Sequence, residues 1–136
     1  MIPTLGGGGA ERVLVNLVNN LDSSKYDITI QTIFKAGVNS SFLNPSIKFK
    51  EGGLKQFRGN IHVMKIFKPT ILYRVIIGKK YDIVVSYLEG PAARIVSGCP
   101  YTDTKLISWV HVEQHTIAKA ARSYRSISEY IKCSNK

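Results

Sequence analysis

Apolar positions along this chain follow two alternating periods. Ala10, Val13, Leu14, Leu17, Val18 and Leu21 recur at three- and four-residue spacing and predict one apolar stripe on a helix. Glu11 falls in the first turn of that helix, where a negative charge suits the helix dipole, and Asp22-Ser23-Ser24 ends it. Tyr26–Phe34 (YDITIQTIF) is dense in β-branched and aromatic residues and predicts a strand, broken by Lys35-Ala36-Gly37. Ile47–Lys50 predicts a short strand. Asn60–Lys80 mixes apolar and basic residues and predicts helix, divided at Pro69 because proline lacks an amide hydrogen and clashes with the preceding turn. Asp82–Tyr87 (DIVVSY) is the compact apolar run of a buried parallel strand. Gly90-Pro91 opens a helix through Val96, since proline is well tolerated at a first helical position. Lys105–Val110 (KLISWV) predicts a second buried strand, and Thr116–Ile131 a closing helix.

Strands alternating with helices predict βαβ units, hence an α/β fold: a Rossmann-like parallel sheet with helices on both faces and right-handed crossovers. Met1–Leu5 is a strand fragment, too short for a full central strand. In such sheets ligands sit beyond the carboxyl ends of the strands, so the loops after the strands are where chemistry is expected.

Composition sets bounds on this picture. The chain has 136 residues, 44% apolar and 21% charged, enough for one domain with a core and unlike a disordered chain. No apolar run reaches the roughly 18–20 residues of a membrane span, and no basic region precedes an apolar stretch as in a secretory signal. Cys99 and Cys133 match no metal spacing and no disulfide framework, which points to reduced thiols in a cytoplasmic protein. The formal charge is +10, and Lys48–Lys80 carries nine basic residues against one acid, Glu51. Lys65, Lys68, Lys79 and Lys80 are the candidates to meet an anionic membrane surface, the alternative being a solvated face.

Three loops carry candidate chemistry. Gly6-Gly7-Gly8-Gly9 lies between the strand fragment and the first helix. Glycine permits positive φ and close ligand approach, and the helix beyond offers free amide hydrogens to an anion. The dinucleotide fingerprint is absent, because with Gly6 and Gly8 in place its third glycine is Glu11, and the second strand ends without an acid. No Gly-Lys-Ser/Thr follows either, which excludes a Walker phosphate loop. After KLISWV comes His111-Val112-Glu113-Gln114-His115, which differs from the H-E-x-x-H zinc pattern; hydrogen bonding from a neutral imidazole to a substrate hydroxyl or carbonyl is the role expected of His111. After DIVVSY, Glu89 is placed to accept from an acceptor hydroxyl. Arg94, one turn into the next helix, is placed to pair with Glu89, with a phosphate, or as a structural ion pair. No metal and no cofactor is called for.

The opening Ile2-Pro3-Thr4-Leu5-Gly6-Gly7-Gly8-Gly9-Ala10-Glu11-Arg12-Val13 resembles the start of family-4 retaining glycosyltransferases: a strand, a glycine pair, then Ala-Glu-Arg. Tyr81–Tyr87 and Trp109–Glu113 resemble that family's next landmarks at the expected distances. Arg94-Ile95-Val96 and Trp109–His115 are similar to its bacterial polysaccharide-biosynthesis members. The resemblance spans essentially the whole chain. It implies the N-terminal, acceptor-side domain of a GT-B fold, the half whose partner domain binds the nucleotide of the donor. By position, Gly8 and Gly9 would approach the donor phosphates or transferred sugar, His111 would contact that sugar near the reacting carbon, and the Lys48–Lys80 region would face anionic lipid.

The resemblance therefore implies transfer of a sugar from a nucleotide-sugar donor to a polysaccharide or lipid-linked acceptor, with retention. The family's Glu-x(7)-Glu donor motif belongs to the other domain and is not in these 136 residues, so the expectation is a truncated fragment, inactive alone. The second expectation is a non-catalytic membrane- or glycan-binding module, peripheral at the inner face of the cell membrane. Nucleic acid is not an expected partner, because aromatic residues do not interleave the basic stretch. The edge of an incomplete sheet can pair with another copy, giving a homo-oligomer.

Overall fold

The computed structural model of the chain describes residues 1–35, 37–54, 60–111 and 115–134. The chain is α/β, with helices and small parallel two-stranded sheets, consistent with an incomplete Rossmann-like fold. It divides into two compact units, Met1–Gln56 and Phe57–Lys136.

The first unit holds α1 (Gly9–Asn19), β1 (Thr29–Gln31), a 3₁₀ turn (Val38–Phe42) and β2 (Lys48–Lys50). The two strands run parallel, Ile30 opposite Phe49. The opening fragment adds a parallel bridge, Ile2 opposite Thr32, with the Ile2 amide donating to the Gln31 carbonyl at 3.0 Å. Ile2, Leu5, Leu14, Val15, Val18, Ile30, Ile33 and Phe34 form the core. The buried face of α1 is centred on Leu14, Val15 and Val18, one position round from the predicted stripe: Val13 is 54% exposed and Leu21 40%. Each helical residue turns about 100°, so burying Val15 swings Val13 out. The predicted Tyr26–Phe34 strand contracts because the Ser24 hydroxyl and amide donate to the Asp22 carboxylate, at 2.7 and 3.0 Å, in a turn that runs on to Tyr26.

The second unit contains α2 (Asn60–Ile66), α3 (Pro69–Ile76), β3 (Ile83–Tyr87), α4 (Pro91–Val96), β4 (Lys105–Trp109), α5 (Ile117–Ala120), a 3₁₀ turn (Ala121–Ser123) and α6 (Ile127–Ser134). Pro69 divides the helical stretch as expected, and Pro91 opens α4. β3 and β4 are parallel and in register from Ile83 opposite Lys105 to Tyr87 opposite Trp109. β3 buries Val84, Ser86 and Tyr87. β4 is not the buried strand predicted: Ile107, Ser108 and Trp109 are exposed and Leu106 is only half-buried, so both of its faces stay largely open while β3 beside it is covered.

The closing helix is also not continuous. Tyr124 is extended (φ −99°, ψ 163°) and buried, and the helix restarts at Ile127. Ser126 caps the restart: its hydroxyl accepts from the Glu129 amide at 3.1 Å, while the Glu129 carboxylate accepts from the Arg125 amide at 2.7 Å. This is a capping box shifted by one residue at its return bond.

Two arginines fix the end of α2. The Arg94 guanidinium donates to the carbonyls of Met64 (2.9 Å) and Phe67 (2.8 Å), and that of Arg125 to the carbonyls of Lys65 and Ile66. Four consecutive carbonyls at the end of this helix thereby accept from cations at the negative end of its dipole, and that of Met64 also accepts from the Phe67 amide at 3.3 Å. Glu129 bridges the pair electrostatically, accepting from Arg94 Nε and Nη2 at 3.2 Å each.

Candidate functional site

The rim at the carboxyl ends of β3 and β4 is assembled by an unusual turn. Leu88 has φ of +80° and Gly90 of +91°. Positive φ is ordinary for glycine but strained for leucine, whose Cβ crowds the following carbonyl at a cost of about 1–2 kcal/mol. The Leu88 amide donates to the Trp109 carbonyl at 3.2 Å, tying the turn to the end of β4. The result carries Glu89 across to the neighbouring strand: its carboxylate accepts from the His111 amide at 3.2 Å. Two of the residues singled out in the sequence are therefore brought together, one from each loop. The His111 residue is exposed, and its imidazole lies 4.4 Å (centroid to centroid) from the buried Tyr87 ring. The Tyr87 hydroxyl has no hydrogen-bond partner among the described residues, and burial raises its pKa.

Behind the turn lies a pocket of about 380 Å³. Glu89 and Gly90 stand at its side, and Ser86, Ser97, Ser108, Tyr130 and Ser134 give it a hydroxyl-rich wall. Its α6 wall is held by the Arg94–Glu129 pair. Burial pushes the Glu129 carboxyl up, but hydrogen bonds from Arg94 and the Arg125 amide, with the two positive charges, outweigh it and leave its pKa below the usual carboxylate value.

Arg94 requires a correction. It was a candidate for the acceptor side, with Glu89 or a phosphate as partner, and a structural ion pair was the alternative. It is 1% exposed, pairs with Glu129 rather than Glu89, and spends its donors on two carbonyls and that carboxylate. A guanidinium so committed is a structural ion pair; releasing it to a ligand would orphan buried acceptors.

The glycine loop is built differently. None of Gly6 to Gly9 has positive φ, so the expected conformational freedom is not used there. Gly8 is the N-cap of α1 with no side-chain cap, and a Cβ at Gly8 would lie 2.3 Å from the Glu11 carboxylate. That carboxylate already places a negative charge at the amide end of α1, where a donor phosphate was expected. Gly9 is exposed, with nothing within 4 Å of a Cβ. Asn39 holds the loop: its amide donates to the Leu5 carbonyl at 3.0 Å and its side chain to that of Gly6. Gly37 is required beside it, because a Cβ there would sit 2.4 Å from the Gly6 Cα. Sequence reasoning missed Asn39; its signal was an asparagine two residues past a glycine, after the second strand.

The basic candidates divide. Lys80 pairs with Asp103, which raises the lysine pKa and lowers that of the aspartate, and the Lys79 ammonium lies 4.6 Å from the centre of the Tyr81 ring. Lys65 is half-buried and Lys68 exposed, among the exposed apolar side chains Ile66 (70%), Phe67, Ile71 and Val75 (77%). Among the described residues no helix is long and apolar enough to cross a membrane, and no three His, Cys, Asp or Glu side chains gather as a metal site. Glu113 lies outside the described residues.

Comparison of the chain with family models, curated proteins and solved structures found no match.

Proposed function

We propose that the chain is the acceptor-side part of a retaining glycosyltransferase of the GT-B type, moving a sugar from a nucleotide-sugar donor to a polysaccharide or lipid-linked acceptor. The observation that carries this reading is the Glu89–His111 contact across the carboxyl ends of two adjacent parallel strands, held by a strained Leu88. A carboxylate that accepts from hydroxyls, holding the backbone of an exposed histidine at a sheet rim, suits a substrate whose recognition and reaction both run through hydroxyl groups. In this reading His111 hydrogen-bonds the transferred sugar and Glu89 positions the acceptor hydroxyl, while the Gly8-Gly9 turn of the first unit, taken by itself, leaves room for a sugar. The Glu11 carboxylate over Gly8 favours a sugar hydroxyl rather than a phosphate oxygen at that point.

The test is transfer from a panel of nucleotide sugars to lipid-linked and polysaccharide acceptors, with a donor-binding domain supplied in cis or in trans. Acceptor-dependent release of nucleoside diphosphate is expected, and His111→Ala is expected to lower kcat about 100-fold or more. Turnover unchanged by His111→Ala contradicts the reading.

One observation favours a second reading, a membrane-binding module. Exposed Ile66, Phe67, Ile71 and Val75 alternate with Lys68 and Arg74 along α2 and α3, the mixture that seats a helix at an anionic lipid interface. Pelleting with anionic but not zwitterionic vesicles, reversed by salt, is its expected result; equal recovery with both contradicts it.

A further inference from the structure

Trp109 is the chain's one tryptophan and is 44% exposed. An indole gains most from burial, so its exposure at a sheet rim calls for a reason. Its ring and that of His111, two residues on, lie 11° from parallel with centroids 6.0 Å apart. Tyr87, 1% exposed and in register with Trp109 on the adjacent strand, lies against both rings, 5.2 Å from Trp109 and 4.4 Å from His111. Residues two apart on an extended chain face the same side, so the indole and imidazole stand near-parallel on one side of the rim, both against the buried phenol. The Glu89 carboxylate adjoins it through the His111 amide.

We infer that Trp109 and His111 form a carbohydrate platform that takes the less polar face of a neutral sugar ring, while Glu89 accepts a hydrogen bond from a hydroxyl at the ring's edge. Ring C–H groups carry partial positive charge, which matches the negative face of an aromatic system. Flat, pre-set rings bind at low entropic cost. A nucleobase also stacks on such a surface, but its phosphates would meet the Glu89 charge, whereas sugar hydroxyls donate to it. This inference deepens the glycosyl-transfer reading by naming a neutral sugar ring as the ligand held at the Trp109–His111 rim, although binding alone does not require transfer.

With one tryptophan, the intrinsic fluorescence of the whole chain reports on Trp109. Titration with maltohexaose, cellohexaose, chitohexaose and mannohexaose is expected to give a saturable intensity change with a blue shift for at least one of them. Inorganic phosphate and glycerol at equal concentration are expected to give none. By calorimetry, His111→Ala and Trp109→Ala are expected to weaken that binding roughly tenfold or more, and Trp109→Phe to retain most of it. His111 is exposed, so its variant decides even where Trp109→Ala does not fold. No saturable change with any of the four sugars, binding that His111→Ala leaves intact, or tighter binding of uridine than of every sugar overturns the inference. Sugar binding without turnover in the transfer assay sinks the glycosyl-transfer reading and leaves this one standing. Turnover with no fluorescence response does the reverse.

Discussion

The loop from Leu5 to Gly9 in the first unit and the turn from Tyr87 to Pro91 in the second hold their shapes by opposite means. The first has four glycines and no positive φ. It relies on missing side chains, so that Gly37 can press on the Gly6 backbone and the Glu11 carboxylate can fold over Gly8. The second has a single glycine and places a leucine at φ +80°. Its shape is imposed from outside, by the Leu88–Trp109 and Glu89–His111 hydrogen bonds and by α4, which Arg94 anchors. Close approach thus uses only Gly8 of the four glycines, with Gly37 pressing on the loop from outside the run, while in the other loop strain sits at a residue with no obvious signature. Strain that surroundings over-determine is a recurrent property of functional sites, and here it coincides with the two candidate residues that meet.

The sharpest way to break the second loop is through its anchor. Arg94→Ala removes donors from Met64, Phe67 and Glu129, and urea denaturation is expected to show a loss of about 3–5 kcal/mol. The same pair gives the unit an acid limit. The Glu129 carboxyl has a lowered pKa in the fold. Its contribution is therefore whole above the ordinary carboxylate value of about 4.3 and fades as pH falls through the lower folded value. Glu129→Gln is expected to flatten that acid dependence; an unchanged profile means the pair is not responsible.

For the glycine loop, the expected effect at Gly37 exceeds that at Gly8. Gly37→Ala meets backbone atoms that cannot move aside, and a loss of about 1–3 kcal/mol is expected in thermal melts. Gly8→Ala meets only the flexible end of Glu11 and is expected to cost less than about 1 kcal/mol. Equal losses would mean that backbone packing does not shape this loop. Leu88→Gly is the smallest effect: relief of strain offsets lost burial, and stability is expected within about 1 kcal/mol of the parent. A loss well beyond that would show that Leu88 is not strained.

Much of this architecture was legible. Pro69 and Pro91 set helix boundaries, β-branched runs set β3, and the strand-to-helix alternation set the fold class. The Arg94 reading turned on a partner no local pattern identifies: Glu129 lies 35 residues away. The break at Tyr124 was written in Ser126-Ile-Ser-Glu129, a capping signature that the surrounding helical periodicity masked. Leu88 carried no signal, because a residue forced into positive φ by its neighbours looks like any leucine. The glycine run misled about conformational freedom: none of the four has positive φ, and only Gly8 would crowd a neighbour with a Cβ.

The central claim is that the turn after β3 holds the end of β4 through the Glu89 carboxylate and the His111 amide. The amide proton of His111 measures this directly by NMR. Slow hydrogen exchange and a downfield resonance are expected in the parent chain, both lost in Glu89→Ala while amides within β3 are unchanged. A His111 amide whose exchange and shift are the same with and without the Glu89 carboxylate would contradict the account.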